Sequence, residues 1–180
     1  MSLNSWQGYV LLLAIIWYLS HQAGRLDRLH HRIEMTSSAL DGHLGRRAGI
    51  VAELATSPMI DPVTAAVFAQ SAHDALAVEP HDLVDRLDVE NALSEVLFES
   101  LDDFDELQQW RSDATTQELL DELSVVCGRI ALSCNFHVAA VADCLNIRTQ
   151  WIVRIFRLAG HAQLPIDLNL DSRVPPALAD

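Results

Sequence analysis

Apolar residues run almost without interruption from Leu3 to Leu19, and no Asp, Glu, Lys or Arg occurs between Met1 and Gly24. Trp6 and Tyr9 lie near one end of this run and Trp17 and Tyr18 near the other, the arrangement of a membrane helix with aromatic anchors at both interfaces. Seventeen residues at about 1.5 Å each span roughly 25 Å, slightly less than a ~30 Å hydrocarbon core, which puts Asn4, Ser5 and Ser20 at the interfaces. A cleaved signal peptide needs a basic stretch before the apolar run and small residues at a cleavage site. The pattern has neither, so the run is read as an uncleaved anchor.

Beyond the anchor the apolar period is helical. Leu26, Leu29, Ile33, Leu40, Leu44, Val51 and Leu54 recur at spacings that sum to threes and fours, and no proline intervenes before Pro58. This predicts one helix from about Ser5 to Thr56, with Gly42, Gly45 and Gly49 inside it as places for close helix packing or for a hinge. Asp61 followed by Pro62 is an N-cap with proline at the first helical position, opening a second helix to about Val78 with Val63, Ala66, Val67, Ala69 and Leu76 on its apolar face. A third helix is expected from near Asp82 to Trp110, carrying Leu83, Leu87, Leu93, Leu97, Leu101 and Phe104. Thr115 with Glu118 reads as a capping box for a fourth, which runs through Leu119, Leu123, Val126, Ile130, Val141, Leu145, Ile152 and Ile155 to about Leu158, with Gly160 as C-cap. Pro165, Pro175 and Pro176 mark the rest as an extended tail that docks only in part. The predicted fold class is all-α: an N-terminal transmembrane helix (1–24) continuing into an antiparallel up-and-down helical bundle (25–160), then the tail (161–180).

Charge adds direction to this picture. Arg25, Arg28 and Arg32 follow the anchor closely while no charged side chain precedes it, so the bundle is expected in the cytoplasm and the N-terminus outside the cell membrane. The formal charge of −13 is uneven: residues 57–122 hold 2 Arg and 17 acids, net −15, whereas 21–56 and 123–180 hold 5 Arg and 4 acids each, net +1. The densest acids are Glu95, Glu99, Asp102, Asp103, Asp105 and Glu106, placed by the period on the face of the third helix away from its leucines. Three readings of them stay open: a solvated face, a docking face for a basic partner, or a cation site. Nucleic acid is excluded as a partner by the acidic balance. The lipid bilayer and a protein, or a second copy of the chain, are the partners expected.

Composition removes several chemistries. All twelve basic residues are Arg, which excludes a P-loop lysine and a Schiff base. No nucleophile elbow, HExxH or glycine-rich phosphate loop occurs, so no catalytic residue, cofactor or small-molecule substrate is assigned. Asp27, His30 and Glu34 share a helical face, with His31 beside them, and are the weak candidates for a metal. A di-metal bundle, however, needs Glu-x-x-His on two helices, and the motif is absent. Cys127, Cys134, His137 and Cys144 follow one another along the fourth helix, but Cys127 and Cys134 are two turns apart, roughly 10 Å, too far to share one zinc. Three cysteines without a CxxC suit a reducing compartment and core packing.

The anchor, the stretches Arg25-Leu26-Asp27-Arg28-Leu29-His30 and Ala39-Leu40-Asp41-Gly42-His43-Leu44-Gly45-Arg46-Arg47, then Gly128-Arg129-Ile130-Ala131, Val153-Arg154-Ile155-Phe156-Arg157-Leu158-Ala159-Gly160-His161 and a proline-bearing end together resemble the LemA family of bacterial membrane proteins. The resemblance implies one N-terminal membrane helix carrying an antiparallel helical bundle, and no established reaction. It also implies that Arg46, Arg47 and Arg129 are charges that bridge the bundle. The chain departs from the family at Thr36, Ser37 and Ser38, where Asn and Trp are usual, and at Phe136-His137-Val138, in place of Phe-Tyr-Asn. The function expected is that of a non-enzymatic membrane-anchored scaffold or interaction module. The alternative is a metal-dependent membrane enzyme or metal sensor using the juxtamembrane His and carboxylates.

Overall fold

The computed structural model describes residues 3–78, 83–148 and 170–178. Among them there is no strand. The chain folds as α1 (Leu3–Leu54), α2 (Pro62–Ala77), α3 (Leu83–Ser100), α4 (Phe104–Trp110) and α5 (Ala114–Arg148), with a short 3-10 turn at Pro176–Leu178. The predicted continuation of the last long helix to Leu158, and its cap at Gly160, lie outside the described residues.

The chain divides into two compact units, and the division falls inside both long helices. Unit 2 takes 37–136 and 168–180 and holds the main hydrophobic core. There α1 turns inward Leu40, Leu44, Ala48, Val51 and Leu54, and α5 turns inward Leu120, Leu123, Cys127, Ile130 and Cys134, each a stripe at spacings of three and four. Unit 1 takes 1–36 and 137–167. In it α5 buries His137, Ala140, Val141 and Cys144, and the His137 ring nitrogen lies 3.4 Å from the Thr36 hydroxyl.

Capping side chains set the starts of α2, α4 and α5. Asp61 accepts from the Val63 and Thr64 amides at 2.8 and 3.2 Å, as expected of the Asp-Pro start of α2. The buried face of α2 is a correction, because Phe68, Ala72 and Ala75 point inward while Val63, Val67 and Leu76 are exposed. One phenyl ring removes more apolar surface than either valine, and Phe68 meets the edge of Trp110 at 6.2 Å while the two alanines let α2 lie close against α3.

The single helix expected over 82–110 is two. α3 ends at Ser100, and Asp103 accepts from the Asp105 and Glu106 amides at 2.9 and 3.2 Å to start α4. Successive aspartates compete for backbone N–H groups, so Asp102-Asp103 breaks the helix although the apolar spacing of Leu97, Leu101 and Phe104 continues through it, and Phe104, expected inward, is exposed. The capping box at Thr115 and Glu118 is likewise corrected. Asp113 caps α5 instead, accepting from both the amide and the hydroxyl of Thr116 at 2.9 Å. Thr116 therefore receives the Ser57 hydroxyl at 2.7 Å, tying the end of α1 to the start of α5.

Gly42, Gly45 and Gly49 do not serve close packing among the described residues. A Cβ placed on Gly42, Gly45 or Gly49 meets nothing within 4 Å, because these residues lie on the side of α1 opposite its buried stripe.

Candidate functional site

Among the described residues of unit 2, three inward positions are charged. Arg47 follows Leu40 by seven residues and Leu44 by three, which places a guanidinium where the period calls for an apolar side chain. On α3 the same happens at Arg86 and Glu90, which precede Leu93 and Leu97 on the inner stripe. Glu90 has no exposed surface and Arg47 only 3%. Arg47 donates one terminal nitrogen to the Glu90 carboxylate at 2.7 Å and to the Glu90 carbonyl at 3.0 Å, and the other to the Ser94 hydroxyl at 2.9 Å. Arg86 reaches the second carboxylate oxygen through Nε at 3.5 Å.

Two buried guanidiniums thus share one carboxylate. The Nε atoms of Arg47 and Arg86 and Oε1 of Glu90 make no hydrogen bond. Desolvating three charges is expensive, and such a cluster is worth more as a specifier of register than as a source of stability. Here it fixes α3 against α1. The Ser94 hydroxyl is drawn into the same set, since it lies 2.9 Å from the Glu90 carbonyl and 3.4 Å from the Asp171 carbonyl.

Asp171 belongs to the second feature of unit 2, a seat for the chain segment 170–178. Asn91 accepts the Asp171 amide at 2.7 Å, Arg111 donates to the Ala177 carbonyl at 3.1 Å and Ser124 to the Leu178 carbonyl at 2.6 Å. Side chains of α3, the end of α4 and α5 therefore hold the main chain of the segment, whatever its side chains. Leu178 adds an apolar anchor, 2% exposed in the core. Arg173 lies over the Phe98 ring at 4.9 Å and binds Asp171 through two nitrogens at 2.9 and 2.7 Å. That pairing, chiefly the Arg173 hydrogen bond, holds the Asp171 carboxyl below its ordinary range.

The residues singled out in the sequence fall in several places. Glu95 and Glu99 are on α3, Asp102 and Asp103 in the break, and Asp105 and Glu106 in the first turn of α4. All are exposed except the half-buried Glu106, and they form no single helical face, because the helix carrying them is interrupted. The Asp103 carboxylate is engaged at the cap. In unit 1, Asp27 and Glu34 are exposed, with Glu34 paired to His31 at 3.7 Å, and the side chain of His30 lies outside the described residues. No group of three or more metal-ligating side chains occurs among the described residues.

Of the arginines carried over from the resemblance, Arg46 bridges α1 to Glu122 of α5 through two nitrogens at 2.8 and 2.7 Å, and Arg47 bridges α1 to α3. Arg129 is exposed, and no ion pair joins it to another described residue. Cys127 and Cys134 are buried and free, and burial pushes both thiols up, with the positive charge of Arg47 opposing it in part. They remain thiols and pack as small apolar side chains.

No protein-family model, curated protein or solved structure matches this chain. Among the described residues one helical stretch, Ala114–Asn146, is long and apolar enough to cross a membrane, and Trp6–Tyr18 forms a shorter apolar helix. The first passes by length and composition because α5 is apolar on two sides: its inner stripe lines the core, and Val125, Leu132 and Phe136 are exposed on the other.

Sequence reading missed Arg86, Glu90, Asn91, Ser94 and Ser124. For Arg47, Arg86 and Glu90 the signal was present, as charged residues on an apolar period. For Asn91 and Ser124 nothing in the sequence marks a side chain that binds main chain far away.

Proposed function

We propose that the chain is a non-enzymatic single-pass membrane protein, anchored by the N-terminal part of α1, whose helical bundle acts as a protein-interaction module. One observation carries the reading. The helix Trp6–Tyr18 turns apolar side chains outward all round, Trp17 being 72% and Leu11 65% exposed, and no charged residue interrupts it. Such a surface needs lipid or another protein to cover it. By contrast α5 already has a use for its apolar inner face in the core of unit 2, and the Arg46 to Glu122 pair on its flank belongs in water.

The same helix continues as the α1 that carries the core stripe. An antiparallel course of α1 and α5 is supported by the order of their bonds. In unit 2 these join Arg46 to Glu122 and Ser57 to Thr116, so that numbers rise on one helix as they fall on the other. The pairs Arg32 to Asp143 and Thr36 to His137 follow the same order in unit 1. Arg25, Arg28 and Arg32 favour a cytoplasmic bundle. The resemblance to LemA proteins leads to the same architecture.

The test is membrane retention through an alkaline carbonate wash, combined with N-terminal sequencing and C-terminal reporters. Retention, an intact N-terminus and activity of a cytoplasmic reporter are expected. Release into the wash would sink the anchor, and activity restricted to a reporter that works outside the cytoplasm would sink the orientation.

A further inference from the structure

Where α3 gives way to α4, unit 2 has an open cavity of about 320 Å³ among its described residues. Its floor and walls are Phe98, Leu101, Phe104 and Leu107, with Pro175 on one side and Asp102 as the acid among its lining. Cavities of this size and apolar lining with few polar groups are typical ligand sites. Phe104 is 68% exposed although it begins a helix, so a large ring of the cavity lining faces solvent.

Charge selects the occupant. Glu99, Asp102, Asp103 and Asp105 are exposed in the last turn of α3, the break and the first turn of α4, within seven residues of one another. The one cation in the lining, Arg111, has a terminal nitrogen engaged with the Ala177 carbonyl. The chain also supplies an example of how a cation is received there. The Arg173 guanidinium already lies over Phe98 at 4.9 Å, a ring that forms part of the cavity wall.

We infer that this corner is a docking pocket for a short extended partner segment that places an apolar side chain in the cavity and an adjacent arginine or lysine among the carboxylates. The inference rests on the reading of the bundle as an interaction module and gives that module a site and a partner chemistry. Apolar burial in the pocket supplies affinity, while the acids steer encounter with basic segments and disfavour acidic ones. The segment 170–178 stays in place, because Pro175 forms part of the pocket wall.

The test titrates a fluorescein-labelled, amidated nonapeptide of alternating arginine and leucine with one central phenylalanine into the full chain in nonionic detergent, read by anisotropy. The control peptide has glutamate in place of arginine. Saturable binding of the basic peptide that weakens with added salt is expected, with the acidic peptide at least about tenfold weaker. Phe104→Ala and Asp102→Asn alter exposed side chains, so both variants should melt like wild type while each weakens binding by about two- to tenfold. Absence of saturable binding, equal binding of the two peptides, or unchanged binding by both variants overturns the pocket. Membrane retention is scored separately: a chain that binds the peptide but washes off membranes refutes the anchor alone, and one that stays on membranes without binding refutes the pocket alone.

Discussion

Replacing Glu90 with Gln tests whether the buried charge cluster is a single electrostatic unit. The substitution keeps the size of the side chain and one carbonyl acceptor for Arg47, and removes the carboxylate that Arg47 and Arg86 share. Arg47 and Arg86 are both buried, and Glu90 lies 2.7 Å from the first and 3.5 Å from the second. Without that negative charge the two guanidiniums lose the partner they share in the core. Breaking a buried pair in this way costs about 3–5 kcal/mol, a large part of the roughly 5–15 kcal/mol that holds a domain together. For a unit of roughly 100 residues the melting temperature should fall by more than about 10 °C. Thermal and urea unfolding of the full chain in detergent, followed by circular dichroism, reads the loss. The triple replacement Arg47→Met, Arg86→Leu, Glu90→Leu removes all three charges together and should come close to wild type or exceed it. A Glu90→Gln protein within about 0.5 kcal/mol of wild type, in the range of ordinary surface changes, would refute the account, as would a triple variant less stable than Glu90→Gln.

Gly45→Ala and Gly49→Ala add a methyl group that meets nothing within 4 Å, so each should raise stability by about 0.8–1 kcal/mol through helix propensity, and a loss of stability on melting would show that α1 does not face outward there. Truncating Leu97, Leu123 or Ile130, all buried, to Ala should cost about 2–5 kcal/mol each in the same unfolding assay. Hydrogen bonds from Thr64 and Val63 to Asp61, and from Thr116 to Asp113, hold both carboxyls below their ordinary range. Their stabilisation is therefore complete above the unfolded-state value of about 3.9 and is lost as the pH falls from there through the lower folded-state values. Asp61→Ala and Asp113→Ala should lower stability at neutral pH and flatten its decline below about pH 4, and an unchanged acid limb in pH-dependent melting would refute the caps.

The long helices were legible because their cores are built from leucine and isoleucine at regular spacing: Leu40, Leu44, Leu123 and Ile130 were expected inside and are buried. The α2 face was misread because valine and leucine outnumber phenylalanine in a count of apolar positions, whereas burial follows the area of the one ring, Phe68. The break at Asp102-Asp103 was hidden for a related reason, since Leu97, Leu101 and Phe104 keep spacings of four and three through it, although Phe104, expected inward, is exposed. Glu90 and Arg86 escaped because a search for apolar stripes passes over charges that lie on them. The seat of 170–178 has no periodic signal at all, because it depends on Asn91, Arg111 and Ser124 reaching main-chain atoms tens of residues away.

The position of Leu178 in the core makes unit 2 discontinuous along the chain: the polypeptide leaves it after Phe136 and returns at Leu168. The residues between, 137–167, belong to unit 1 and connect the two parts of unit 2 along the chain. Closure entropy grows slowly with the length of a connection, about 0.6 kcal/mol for each doubling, so the length of this one bears little on unit 2 itself. A single cut in it is a different matter. The returning segment would become a separate peptide, deprived of the effective concentration that covalent connection confers, and would have to stay in its seat on its own affinity. Proteolysis or lengthening at this one stretch would therefore affect the core in opposite ways, although neither alters a residue that lies in it.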